Sequence, residues 1–159
     1  MTYRIDHYQG GRDSDVAAMV LKIQNDEQSL DLTMADQPDL EDIAKAYGNG
    51  GGFWTAIADG EVVGTIGLLR YGPRQAALKK FFIPAEHRGP DGPSKALFEH
   101  LMTFAREEGI EEIFLDTPAA ATRSHGFYRK AGFEVIDRDA LPAGYKFPDR
   151  GSVIFQLTL

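Results

Sequence analysis

The stretch that decides the fold of this chain reads Leu78-Lys79-Lys80-Phe81-Phe82-Ile83, followed at once by Pro84-Ala85-Glu86-His87-Arg88-Gly89-Pro90-Asp91-Gly92-Pro93-Ser94. The first part has the composition of a strand, the second is a loop rich in Gly and Pro, and an amphipathic helix begins at Ser94. In such a unit the unpaired N–H groups of the first helical turn, together with the helix dipole, form a site for a phosphate group. Gly89 and Gly92 let the backbone approach the anion, and Arg88 adds a bidentate donor.

The same loop has a simpler interpretation. Gly and Pro are common wherever a chain reverses between a strand and a helix, and Pro90 and Pro93 each remove an N–H donor. From the loop alone, a phosphate site and a plain turn therefore both stay open.

The residues before this stretch predict a short first strand, two helices and an antiparallel meander. One helix is expected to begin after Ser14 as N-cap, and a second to run from about Asp36 to Tyr47. Strands at Phe53–Ala58 and Glu61–Leu69 are joined by Asp59-Gly60, a strong hairpin signal, and a third strand follows from about Ala76.

The residues after the loop predict a crossover. The helix at Ser94–Glu108 leads to a buried strand at Ile113–Leu115, so this strand should lie parallel to the strand at Leu78–Ile83. A short helix at Thr122–Ala131, a strand from Phe133, a long loop at Asp137–Gly151 and a last strand complete the chain.

The composition is that of one globular domain, which we expect to span residues 1–159. The chain is 43% hydrophobic and 26% charged, and 17 Lys+Arg against 24 Asp+Glu give a net charge of −7. Because there is no Lys/Arg-rich run, a nucleic acid or an anionic membrane is disfavoured as a partner.

Metal and disulfide chemistry are also disfavoured. Cysteine is absent, and the four histidines show no metal-ligand spacing. The first residues lack the apolar core of a signal peptide, and no segment approaches about 18 consecutive apolar residues, so a cytoplasmic protein is expected.

Two motifs and the element order resemble the GNAT superfamily of acetyl-coenzyme A-dependent N-acetyltransferases. The segment Phe127-Tyr128-x-Lys130-x-Gly132-Phe133 is close to one family motif, and Arg88-Gly89-x-x-Gly92-x-Ser94 is similar to the family's acyl-CoA loop, with one residue more. The resemblance implies a mixed α/β (α+β) fold. Its central sheet should have about seven mostly antiparallel strands, including one splayed parallel pair, flanked by about four helices.

The resemblance also implies acetyl-CoA as co-substrate and a set of residues that bind it. The pantetheine amides would pair with backbone groups of the splayed strand, and the diphosphate would lie on the loop amides. The residues implied are Phe81, Phe82, Ile83, Arg88, Gly89, Asp91, Gly92, Ser94, Lys95 and Tyr128. An N–H near Phe82 or Ile83 would stabilise the oxyanion formed when an amine attacks the thioester.

Tyr128 and Asp116 are the candidate catalytic residues. A phenol is protonated at neutral pH and can supply the proton that the leaving thiolate takes, although Tyr128 also fits as a packed helix residue. Asp116 lies where some members that acetylate protein N-termini carry an acid, but it could equally cap the following turn. Glu86 and His87 are weaker candidates for the base, and water is an alternative.

The expected activity is direct acetyl transfer to a primary amine of a small molecule or a peptide N-terminus. One alternative is a non-catalytic acyl-CoA-binding sensor or interaction protein of the same fold. A nucleotide-binding domain is disfavoured because the loop lacks the Gly-Lys-Ser/Thr ending. A homodimer is possible, since dimers are frequent among proteins resembling this one.

Overall fold

The structure is a computed structural model, and it describes residues 2–146 and 151–159. Its centre is one seven-stranded sheet with the order β1-β2-β3-β4-β5-β7-β6. The strands are β1 (Arg4–His7), β2 (Gly52–Ala58), β3 (Glu61–Arg70), β4 (Gln75–Phe82), β5 (Glu112–Thr117), β6 (Glu134–Val135) and β7 (Val153–Thr158). Only β4 and β5 are parallel, and every other neighbouring pair is antiparallel. The predicted mixed fold is thus confirmed.

In the part of the chain that the structure describes, four α-helices pack on the sheet, as predicted. They are α1 (Asp13–Lys22), α2 (Ile43–Tyr47), α3 (Ser94–Glu107) and α4 (Thr122–Lys130). A five-residue π-helix at Ile23–Glu27 continues α1. The predicted loop at 137–151 contains a short 3-10 turn at Arg138–Ala140, and its residues 147–150 lie outside the described part of the chain.

Each face of the sheet has its own hydrophobic core. On one face, buried residues of α3 and α4, such as Leu97, Leu101 and Tyr128, pack against alternate residues of the central strands. On the other face, α1 and α2 pack on Phe53 around a smaller cluster that includes Tyr47. Alternation along a strand sends successive side chains to opposite faces, so the sheet is covered on both sides.

The prediction of one helix from Asp36 to Tyr47 is wrong. Two 3-10 turns, Met34–Asp36 and Pro38–Leu40, come first, and α2 begins only at Ile43. The Asp42 side chain accepts a hydrogen bond from the Lys45 N–H at 3.3 Å, which starts the helix there. Ser14 is likewise not the cap of α1, because the helix already begins at Asp13.

Arg70 joins the ends of several elements. Its guanidinium donates to the carbonyl oxygens of Gly50, Gly72, Pro73 and Glu108, and also to the Glu108 carboxylate, at 2.8–3.1 Å. These five bonds use all five N–H groups of an arginine.

Replacing Arg70 by Lys should therefore destabilise the protein although the charge is kept. A lysine has three donors on one point charge, so we expect a loss of about 2 kcal/mol, or roughly 4–8 °C in melting temperature. Thermal unfolding followed by circular dichroism measures this. The control Arg4→Lys changes an exposed pair with Asp6 and should leave the midpoint unchanged; equal midpoints for both variants would contradict the prediction.

Candidate active site

The parallel strands β4 and β5 diverge. They pair at Gln75↔Glu112, Ala76↔Ile113 and Ala77↔Phe114. Beyond these positions β4 continues to Phe82 and β5 to Thr117, with no further pair between them among the described residues. The predicted splayed pair is therefore present. It opens at the carboxyl ends of the strands, where open α/β sheets place their ligands.

The loop after β4 presents several unused N–H groups beside this opening. Gly89, Asp91, Ser94 and Lys95 were predicted to bind a phosphate, and within the described chain their N–H groups donate no hydrogen bond. Two other predicted amides are occupied: Arg88 N–H donates to the Ala85 carbonyl at 3.3 Å, and Gly92 N–H donates to the Gly89 carbonyl at 3.0 Å. The loop thus keeps free donors on both sides of a short internal turn.

Arg88 reaches back from the loop to two other segments. Its Nε donates to the Ile83 carbonyl at 2.8 Å, and its Nη1 forms an ion pair with the Glu27 carboxylate at 2.7 Å. The Ile83 carbonyl, predicted to be open, is therefore occupied by a side chain. Nη2 makes no hydrogen bond with a described residue, so its N–H groups can donate to a further partner.

Tyr128 lies on α4, with its ring centroid 6.4 Å from that of Phe81 in β4. The ring is packed between Phe133 and Phe155, at centroid distances of 5.5 and 5.8 Å, and only 6% of the residue is exposed. Its hydroxyl makes no hydrogen bond within the described residues. Burial, and then the charge of Asp116, raise the pKa of Tyr128, so the phenol stays protonated at neutral pH.

Asp116 lies near the end of β5, in a polar cluster with Lys79 and Tyr145. Its Oδ1 accepts from the Tyr145 hydroxyl at 2.6 Å and from Lys79 Nζ at 3.4 Å. Lys79 Nζ also lies 4.1 Å above the Tyr145 ring. Burial lowers the pKa of Lys79, and the charge of Asp116 opposes that shift. The structure thus brings Asp116 close enough to Tyr128 to affect its pKa.

The side chains of Phe81 and Phe82 lie on opposite faces of β4. Phe81 packs with Phe98 of α3 and Phe127 of α4, at centroid distances of 6.5 and 5.5 Å. Phe82 pairs with Thr65 of β3 and packs against the cluster of α1 and α2. The two side chains thus anchor the end of β4 on both faces of the sheet, next to the opening.

The weaker base candidates are placed differently. His87 shares a hydrogen bond of 3.1 Å between its Nδ1 and the Tyr3 hydroxyl, and Glu86 is exposed. Among the described residues, no three His, Cys, Asp or Glu side chains are grouped as a metal site requires.

Comparison with known proteins identifies the family. Residues 17–133 match the sequence profile of the Acetyltransferase (GNAT) family. The chain belongs to this family. An acetyltransferase from Streptococcus agalactiae 2603 is 40% identical, with a TM-score of 0.93 over 99% of this chain and 98% of that one. Human N-acetyltransferase 8B is 36% identical over 110 residues, which are 65% of this chain and 48% of that protein.

A more distant GNAT structure shares the fold alone. PaiA N-acetyltransferase from Thermoplasma acidophilum, in complex with coenzyme A, is 19% identical with a TM-score of 0.78. This chain spans about half the length of the curated relatives it matches. None of the helices in its described part is both long and apolar enough to cross a membrane.

The match over residues 17–133 confirms the predicted family. Sequence reasoning missed three side chains of this GNAT site: Lys79, Tyr145 and Glu27. No local pattern in the sequence indicates that Glu27 pairs with Arg88. Lys79 and Tyr145 meet Asp116 across long sequence separations, which no motif encodes.

Proposed function

We propose that this chain transfers an acetyl group from acetyl-CoA to a primary amine by direct attack on the thioester. The observation that carries the proposal is the opening between β4 and β5, which has free loop amides beyond the end of β4 and the ring of Tyr128 at 6.4 Å from that of Phe81. Acetyl-CoA supplies an activated acetyl group when bound. The free N–H groups of Gly89, Asp91, Ser94 and Lys95 suit its diphosphate.

In this proposal the residues around the opening have separate roles in binding and in proton transfer. Backbone groups of Phe81 and Phe82, together with the N–H group of Ile83, hold the pantetheine arm as an added strand would, and an N–H near Phe82 or Ile83 stabilises the developing oxyanion. Tyr128 donates its proton to the departing thiolate, which its raised pKa allows because the phenol is still protonated. Asp116 accepts the proton of the incoming ammonium, directly or through water.

The test is thiol release with a panel of amines, amino acids, polyamines, aminoglycosides and peptide N-termini. Because the chain contains no cysteine, a thiol reagent has no background from the protein itself. We expect the rate at which free coenzyme A forms to rise with the concentration of one class of amine and not with the others. Binding of acetyl-CoA with no thiol released by any amine would favour the alternative, a non-catalytic acyl-CoA-binding protein.

Asp116→Asn should lower turnover at neutral pH by about tenfold, because an amide cannot accept the proton. The deficit should shrink as the pH approaches the acceptor amine's own pKa, since the amine then arrives deprotonated. A pH profile of kcat measures this. Glu112→Gln is the matched control at the other end of β5, where the carboxylate accepts from Gln75 and Gln156 among the described residues. A deficit that stays constant with pH would remove Asp116 as the base.

Arg88→Ala should weaken acetyl-CoA binding by about tenfold, the effect of losing one charge-assisted contact. Glu27→Gln should instead leave binding unchanged or tighten it, because it removes a carboxylate that neutralises Arg88. Titration calorimetry with acetyl-CoA distinguishes the two signs. If both variants weakened binding equally, Arg88 would act by holding Glu27 and not by meeting the cofactor.

We further infer one N-acetyltransferase domain across residues 1–159, supported by a single sheet whose two faces are both covered. A cytoplasmic location and a homodimer stay predictions. Sedimentation of the pure protein tests the second.

A further inference from the structure

Strand β4 contains a bulge next to the residues that line the opening. Gly67 pairs with Lys79 and Thr65 pairs with Phe82, so Ile66 of β3 faces two residues, Lys80 and Phe81. Lys80 adopts a φ of +53°, which is unfavourable for a residue with a side chain. No glycine relieves this position, so other contacts must hold it.

Two side chains hold Lys80 at its two ends. The fully buried Thr65 donates its hydroxyl to the Lys80 carbonyl at 2.7 Å. At the other end, Lys80 Nζ lies 3.4 Å from Oδ2 of Asp39. The same oxygen accepts a 2.7 Å hydrogen bond from Tyr47, which is almost completely buried. The Lys80 ammonium is itself largely buried, with 14% of the side chain exposed.

The ion pair links two parts of the site. Asp39 belongs to the 3-10 turn Pro38–Leu40 on the face of α1 and α2, and Lys80 belongs to the strand whose next residues face the opening. Burial and the charge of Asp39 raise the pKa of Tyr47, so its hydroxyl stays protonated and keeps donating to Asp39. A partly buried, doubly anchored pair is stiffer than an exposed one.

We propose that Lys80 is a positioning residue, which acts through Asp39 and Tyr47 to fix the bulge and thereby orient those backbone N–H groups at the end of β4 that face away from β3 and into the opening. This inference rests on the proposed function, because those N–H groups matter to the rate only if the opening holds a thioester. Displacing such a donor should lower kcat more than it weakens the binding of acetyl-CoA, because the donor stabilises charge that develops only during the reaction.

The test compares Lys80→Met, Lys80→Arg, Asp39→Asn and the double variant Lys80→Met/Asp39→Asn. Lys80→Met should lower kcat by about tenfold and change the KM for acetyl-CoA by less than about twofold. Lys80→Arg keeps the charge and should recover to within about threefold of wild type. The double variant should be no slower than the slower single variant, because both remove one interaction. Lys45→Met, an exposed lysine on α2, is the matched control.

Amide hydrogen exchange gives a readout that needs no activity. Lys80→Met should speed exchange by about tenfold at Gly67 and Lys79, which pair beside the bulge, and leave Leu69 and Ala77 unchanged. Unchanged exchange and unchanged kcat at equal folded fraction would overturn the positioning role, and so would additive losses in the double variant. Faster local exchange, with no turnover even by the wild type, would support the positioning and overturn the proposed function instead.

Discussion

Tyr128→Phe should lower kcat by about 100-fold, which corresponds to about 2.7 kcal/mol in the activation barrier. The substitution removes only a hydroxyl that makes no hydrogen bond within the described residues. The ring contacts with Phe133 and Phe155 are kept, so the free energy of unfolding and the affinity for acetyl-CoA should hardly change. Steady-state kinetics with melting and titration of the same preparation measure all three.

Tyr8→Phe is the matched control for that result. Tyr8 is also buried, but its hydroxyl accepts from the Arg12 N–H and donates to Asp13, both at 2.7 Å. Its loss should therefore lower the melting temperature and spare kcat. Similar rates for Tyr128→Phe and wild type would exclude Tyr128 as the proton donor.

The raised pKa of Tyr128 also fixes the sign of a pH effect. A phenol whose pKa lies above the ordinary value of about 10 remains protonated throughout the range in which enzymes are usually assayed. Ionisation of Tyr128 should therefore not lower the wild-type kcat between about pH 8 and pH 10. A fall in kcat over that range which is present in the wild type and absent in Tyr128→Phe would contradict the raised pKa of this phenol.

Local patterns in the sequence predicted much of this fold. Asp59 and Gly60 have φ values of +50° and +77°, as a tight hairpin turn between β2 and β3 requires. Likewise, the long crossover through α3 was enough to predict the parallel pairing of β4 with β5. These features depend on neighbouring residues, which is why spacing and turn chemistry suffice.

The features that the sequence did not predict depend on distant contacts. Nothing in Lys79-Lys80-Phe81 marks a bulge, and the groups that hold it are Thr65, 15 residues away, and Asp39. Tyr145 reaches Asp116 over 29 residues. The segment from Asp36 to Tyr47 was predicted as one helix because Pro38 suits a helix start. Instead, the side chain of buried Gln37 forms hydrogen bonds of 2.8 Å with that of Gln24 in the π-helix. The sequence therefore predicted the order of the elements better than the distant contacts that shape the opening.

The loop that follows β4 shows why one glycine should matter more than its neighbours. Gly92 turns back on the loop so closely that a Cβ atom there would lie 2.1 Å from the carbonyl oxygen of His87. Gly89 needs only its left-handed φ of +110° and has open space around it. The internal turn from Gly89 to Gly92 is thus what sets the spacing of the free amides on its two sides.

Gly92→Ala should therefore weaken acetyl-CoA binding by at least about 100-fold, or about 2.7 kcal/mol. The new methyl group collides with backbone, not with a flexible side chain, so the segment from His87 must open and the amides of Asp91 and Ser94 move away from a common anion. Titration calorimetry measures the affinity for acetyl-CoA. The melting temperature of Gly92→Ala should stay close to that of the wild type, because the loop is exposed. Gly72→Ala, in a turn with open space around it, is the control and should bind normally. Affinity within about threefold of wild type for Gly92→Ala would mean that the diphosphate is not held by this loop.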